Sequence, residues 1–203
     1  MLYTNEVVNF RLAHYLSGFV KIHAACGSLN SRRFLLAGEK GSGKTTLITR
    51  LLFDHVAVYG DEKVLVRGRK VIPLPRKFHL KAGTVSLIPQ LGPIWDELTS
   101  YPTSYGVRLC FFDPTDADFA WEARWGKVDA IFYLEPNHGA ATKVEKCPGW
   151  LMAQKLITQS TGFNTNPESQ IAALCKIINE SDNSIIRVGE LDGAVRAIKR
   201  HLS

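Results

Sequence analysis

The chain has 203 residues, 45% hydrophobic, 22% charged and 10% aromatic, enough apolar material for one compact core and a composition that excludes disorder, collagen and coiled coil. No apolar run reaches the roughly 18 residues that span a bilayer, and Met1-Leu2-Tyr3-Thr4-Asn5-Glu6 lacks the pattern of a signal peptide, so a cytoplasmic chain with no membrane partner is expected. Lysine and arginine (25) exceed aspartate and glutamate (19), and the net charge of +6 permits an acidic partner without choosing one.

In chain order, residues 19–26 and 33–37 read as strands, with the turn-rich residues 27–31 between them making a hairpin. Residues 43–53 carry the helical spacing of Leu47, Leu51 and Leu52, and the short apolar run 56–59 stops at Gly60-Asp61-Glu62. Strand, glycine-rich loop, helix and strand form a βαβ unit, which predicts two parallel, adjacent strands. Short strands at 64–66 and 71–74 surround Gly68, and the stretch 83–105, with Pro89, Gly92, Pro93 and Pro102, reads as irregular and exposed. Residues 107–112 and 130–134 suit buried strands. Helices follow at 150–159, at 167–179 with Asn166 as cap and Pro167 first, and at 191–202, with a strand at 184–188 between the last two. The whole predicts a single α/β domain over 1–203 with a mixed sheet and C-terminal helices. Cys26, Cys110, Cys147 and Cys175 form no Cys-x-x-Cys pair and read as free thiols; Trp95, Trp121, Trp125 and Trp150 read as packing residues.

Gly38-Glu39-Lys40-Gly41-Ser42-Gly43-Lys44-Thr45 fits G-x-x-x-x-G-K-[S/T] at every fixed position, between a strand and a helix. The glycines let successive backbone N–H groups converge on an anion, and the helix N-terminus adds partial positive charge. Lys44 would reach the β- and γ-phosphates, the Thr45 hydroxyl would ligate Mg²⁺, and Thr46 completes the loop. The expectation is a nucleoside triphosphate site, with ATP and Mg²⁺ as ligands. Asp61 and Glu62 follow the next strand, 17 residues after Lys44, and should project beside the phosphates, one to hold the metal and one to accept a proton. A hairpin centred near Asn30 places His23 opposite Ala37, at the mouth of the loop.

A histidine on the preceding strand, the loop and an acidic pair at a strand end together resemble the catalytic domain of HPr kinase and its small serine-kinase relatives. In that family the histidine lies 15 residues before the first loop glycine, as His23 does before Gly38, and the acidic pair starts 17 residues after the lysine, as Asp61-Glu62 does here. Pro73-Leu74-Pro75-Arg76 also looks like the small members. The resemblance implies transfer of the ATP γ-phosphate to a serine or other hydroxyl of a peptide, protein or small molecule, such as a precursor peptide in a natural-product pathway. It implies Asp61 as general base, Glu62 and Thr45 on Mg²⁺, and His23 orienting Asp61 or the phosphate. Glu62 stands where the family has a second aspartate, and neither the separate N-terminal domain nor the arginine- and glycine-rich loop of the reverse reaction is expected. The full-length relatives form hexamers, which leaves homo-oligomerisation open.

Asp113, after an apolar run, is a rival metal ligand of the kind found in ordinary P-loop ATPases, and it defines the alternative of an ATPase or nucleotide-sensing switch acting on a protein partner. Lys63, Arg67, Arg69, Lys70, Arg76, Lys77 and Lys81 form an acid-free segment, so the rest of the chain carries only −1. This reads as one cationic patch, either the wet face of a hairpin or a docking surface for an acidic acceptor, with Arg76 the candidate clamp on substrate phosphate. Nucleic acid is a poor fit, since the segment has no interleaved aromatics beyond Phe78.

Overall fold

The structure, a computed structural model, describes residues 18–103, 106, 108–121, 123–161 and 167–203. Strands β1 (Val20–Leu29) and β2 (Arg32–Gly38) pair antiparallel from Ala24 opposite Ala37 to Leu29 opposite Arg32. Asn30 and Ser31 both take positive φ, 52° and 64°, as a two-residue turn needs if its twist is to match the strands. The turn is therefore shorter than expected, Gly27 lies within the ladder opposite Phe34, and Ala37 faces Ala24 instead of His23.

From β2 the chain passes through the glycine-rich loop into helix α1 (Lys44–Phe53) and then β3 (Ala57–Gly60). The expected adjacency of β2 and β3 is corrected here. The hairpin puts β1 on one edge of β2, so β3 pairs antiparallel with the far edge of β1 and runs in the same direction as β2, one strand away. Next, β4 (Lys63–Arg67) pairs with the first half of β1, His23 opposite Lys63, in the register that sets Cys26 opposite Gly60. Thus β3 and β4 lie end to end along β1, with Asp61-Glu62 at the joint, where the Ala24 N–H donates to the Glu62 carbonyl at 3.2 Å.

Strand β5 (Lys70–Leu74) closes a hairpin on β4. A separate antiparallel sheet, ordered β6-β8-β7, is built from β6 (Phe78–Lys81), β7 (Ser100–Pro102) and β8 (Arg108–Phe112). Between β6 and β7 run α2 (Thr84–Leu87), a 3-10 turn at Pro89–Leu91 and α3 (Gly92–Trp95). This stretch is not simply irregular and exposed, because Ile88, Leu91 and Leu98 are buried and anchor it to the core. The remainder comprises β9 (Ala130–Pro136), β10 (Lys143–Lys146), α4 (Gly149–Thr158), β11 (Ser160–Thr161), α5 (Pro167–Asn179), β12 (Asp182–Val188) and α6 (Leu191–Leu202). The expected cap Asn166 and residue Val107 lie outside the described residues.

The main sheet runs β10-β12-β9-β2-β1-β4-β5, with β3 and β11 also on β1. It is mixed: β9 pairs parallel with both β2 and β12, and the other pairs are antiparallel. Central strands are covered on both faces, so they read as continuous apolar runs. Phe34 and Leu36 of β2 and Phe132 of β9 join the core beneath α1, α6 and the small sheet, while Leu35, Ala37 and Ile131 join the one beneath α4 and α5. Burying each such side chain contributes about 1.5–3 kcal/mol. The four cysteines are free. Trp95 and Trp121 pack against the core and Trp125, though partly exposed, stacks on the Phe19 ring, whereas Trp150 is 71% exposed, which corrects the packing role expected for it. Among the described residues no helix is long and apolar enough to cross a membrane.

Candidate functional site

The glycine-rich loop sits where β2 ends and α1 begins, and two of its glycines are dictated by geometry. At Gly38, φ is 154° and a Cβ would lie 2.6 Å from Ser42 Oγ and 2.8 Å from the Leu134 carbonyl. At Gly43, φ is 88°, the left-handed conformation from which α1 starts. The Ser42 N–H donates to the Glu39 carbonyl at 3.1 Å, tightening the loop, and Ser42 Oγ is buried without a hydrogen-bond partner. The loop's own lysine closes over it: Lys44 Nζ donates to the carbonyls of Gly38 at 2.6 Å and Glu39 at 3.0 Å.

Asp61 is 5% exposed and its side chain is hydrogen-bonded with that of Thr45. Its Oδ1 is buried with no partner. Burial raises its pKa to about 6; the Thr45 hydrogen bond and the charges of Arg76 and Lys44 pull the other way, and Glu62 adds to the rise. Burial also lowers the Lys44 pKa, against the opposing effect of Asp61 and Glu62. Thus three residues singled out from sequence, Lys44, Thr45 and Asp61, come together at one end of the sheet. The Gly-Asp-Glu segment is no solvated turn, since β1 holds it on both sides.

His23 lines the same cleft, as expected, although its backbone partner is Lys63 rather than Ala37. Desolvation, then the charge of Lys44, lowers its pKa, while Glu62 opposes them, so the ring favours its neutral form. Glu62 does not point into an open metal site: it makes an ion pair with Arg76, whose Nη2 also lies 2.6 Å from His79 Nε2. Arg76, expected on substrate phosphate, therefore neutralises the second carboxylate.

The cleft, about 430 Å³, is floored by residues 40–46 and walled by His23, His79, Lys81, Thr84 and Leu87. His79 and Thr84 were missed from sequence, and Lys81 was read only as a member of the cationic segment. The signal was the alternation of β6, where Phe78 and Leu80 are buried and His79 and Lys81 point to the other face. The cationic segment is not one patch. Lys81 lines the cleft, Lys63 lies opposite His23 and Arg76 holds Glu62, whereas Arg67, Arg69 and Lys70 sit at the far end of the β4–β5 hairpin, with Arg69 paired to Glu180. Asp113 is also accounted for. Its carboxylate accepts from the Thr115 N–H, the Thr115 hydroxyl and Trp121 Nε1, capping the 3-10 turn Pro114–Ala117, and these bonds hold its pKa low against burial.

A hydroxyl and two neighbouring carboxylates match a hard cation such as Mg²⁺, which is commonly held by one or two carboxylates with substrate phosphates and waters. The unpartnered Asp61 Oδ1 beside Thr45 fits such a use. Among the described residues no group of three His, Cys, Asp or Glu side chains is placed to hold a metal unaided. Comparison with known proteins found no matching family model and no matching curated protein.

Proposed function

We propose that the chain is an ATP- and Mg²⁺-dependent phosphotransferase that moves the γ-phosphoryl group to a hydroxyl acceptor, with residues 38–46 as the phosphate-binding loop. One observation carries this reading: a buried carboxylate, Asp61, is hydrogen-bonded with the Thr45 hydroxyl just behind the lining of the cleft, next to a backbone cradle that also holds Lys44. Such a cradle supports an anion, and an adjacent carboxylate with a free oxygen supports proton abstraction from a hydroxyl placed there. The HPr-kinase-like arrangement of His23, loop and acidic pair is part of the same proposal.

In the proposed reaction the acceptor oxygen bonds to the γ-phosphorus, its proton passes to Asp61, and the bond from that phosphorus to the β,γ-bridging oxygen breaks to release ADP. Lys44 leaves the Gly38 and Glu39 carbonyls and donates to the phosphates, exchanging one set of acceptors for another. Neutral His23 orients Asp61 or the phosphate from the facing strand. Thr45 and Glu62 would hold Mg²⁺, which when bound offsets phosphate charge; Glu62 is freed for this by giving up Arg76.

The test is Asp61→Asn, with ATP binding followed by calorimetry and transfer followed by mass spectrometry of peptide and small hydroxyl acceptors. Retained ATP binding with transfer down about 10²–10⁴-fold is expected. Undiminished transfer removes Asp61 as the base. ADP release with no phosphorylated product from any acceptor favours a hydrolase or nucleotide-sensing switch instead.

A further inference from the structure

We propose that a second cleft, of about 440 Å³ at the hairpin end of β1 and β2, binds the phosphate group of a small phosphate monoester. It is lined by Arg33, Tyr59, Ser28, Arg124, Lys127 and Asp129, among others. Its centre is Arg33, 7% exposed and with no ion pair to a carboxylate among the described residues. A buried guanidinium normally faces an anion, because desolvating an unpaired charge is costly. Here Nη1 donates to the carbonyls of Arg124 at 2.9 Å and Val71 at 3.3 Å, and the plane lies over the Tyr59 ring at 4.9 Å. The guanidinium is thus fixed in place, and Nε and Nη2 make no hydrogen bond among the described residues. A rigid fork of N–H donors is the geometry that recognises phosphate oxygens in pairs.

The surroundings suit the same ligand. Arg124 and Lys127 add exposed positive charge at the rim. Ser28 Oγ and Tyr59 Oη, 2.6 Å apart, offer hydroxyls for an ester or sugar oxygen. Among the described residues Asp129 is the one carboxylate in the lining, and its Oδ2 is committed to the Arg33 backbone N–H at 2.7 Å. The cleft volume matches a small metabolite. The site is separate from the proposed nucleotide cleft, since Arg33 precedes Gly38 by five residues along β2, roughly 17 Å at strand rise. It does not depend on the kinase reading.

Inorganic phosphate and a hexose monophosphate, titrated separately into the full ¹⁵N-labelled chain, provide the test. Saturable amide shifts at Arg33 and Gly126 are expected, with the monoester binding at least as tightly as phosphate. Lys127→Ala and Arg124→Ala, both at exposed positions, should each weaken binding at least tenfold, while Lys44→Ala leaves these shifts unchanged. Shifts that rise without saturation, that are confined to residues 38–46, or that survive both substitutions overturn the proposal. Weaker binding of the monoester than of phosphate overturns the assigned ligand class.

Discussion

At the scale of single residues, the site is held together by substitutions it cannot accept. Gly38→Ala would drive a methyl group into Ser42 Oγ and the Leu134 carbonyl, so the loop must open. A loss of about 1–3 kcal/mol in denaturant stability, together with lost ATP binding by calorimetry, is expected. Arg76→Ala acts differently, because Arg76 holds Glu62 and contacts His79 without entering the cleft lining. Freed from its partner, Glu62 becomes available to a cation, and Mg²⁺ should be required at lower concentration for half-maximal transfer. An unchanged Mg²⁺ requirement would mean that the ion pair does not compete with the metal. Lys44, by contrast, already donates to two loop carbonyls, so the proposed nucleotide binding would exchange partners and gain less than a free lysine would give.

Between elements, the junction of α1 and α6 is fastened by Asp54, just past the end of α1, which accepts from Arg50 and from Lys199 Nζ at 2.8 Å. Burial pushes the Asp54 carboxyl upward, and the hydrogen bonds from Lys199 and Arg50 overcome it, holding its pKa below the ordinary 3.8. A depressed folded-state pKa contributes stability that is present above about pH 3.8 and is lost as pH falls through the folded value. Asp54→Asn should cost about 1 kcal/mol at pH 7 and progressively less at more acidic pH, read by urea denaturation at each pH.

The elements also show why some of the site was legible in the sequence and some was not. The loop at 38–45 was readable because its fixed spacing and its strand-to-helix context are both local. Asp61 was readable because β3 runs in the same direction as β2, so its end lies at the correct edge even though β1 intervenes. The adjacency itself was not, because strand order depends on which edges remain open once the hairpin and β9 have flanked β2. The alternation of β6 is local, but His79 and Lys81 reach the cleft through a small sheet completed by β7 and β8, a distant pairing that the alternation does not encode. The Arg76–Glu62 pair depends on where two long side chains meet, which spacing does not encode.

For the molecule as a whole, the proposed nucleotide cleft draws on the loop into α1, His23 of β1 and the wall from β6 to α2, so ligand binding should brace the fold globally. At a hundred times its dissociation constant, Mg²⁺·ATP should add about 2.7 kcal/mol and raise Tm by roughly 5–10 °C. Calorimetric scans that show no shift for the native chain, or the same shift for Lys44→Ala, would exclude binding in that cradle. The arrangement of β1 has a further consequence. One strand serves as the common measuring rod for the hairpin with β2 at Ala24–Leu29 and for the ladder with β4 at Val20–His23. An added residue between His23 and Ala24 would spare the hairpin yet turn Val20 and Ile22 outward and swing His23 off its face. Alignment of the facing histidine with the loop and the acidic pair is therefore fixed by counting along β1, and the strand will accept changes of identity far more readily than changes of length.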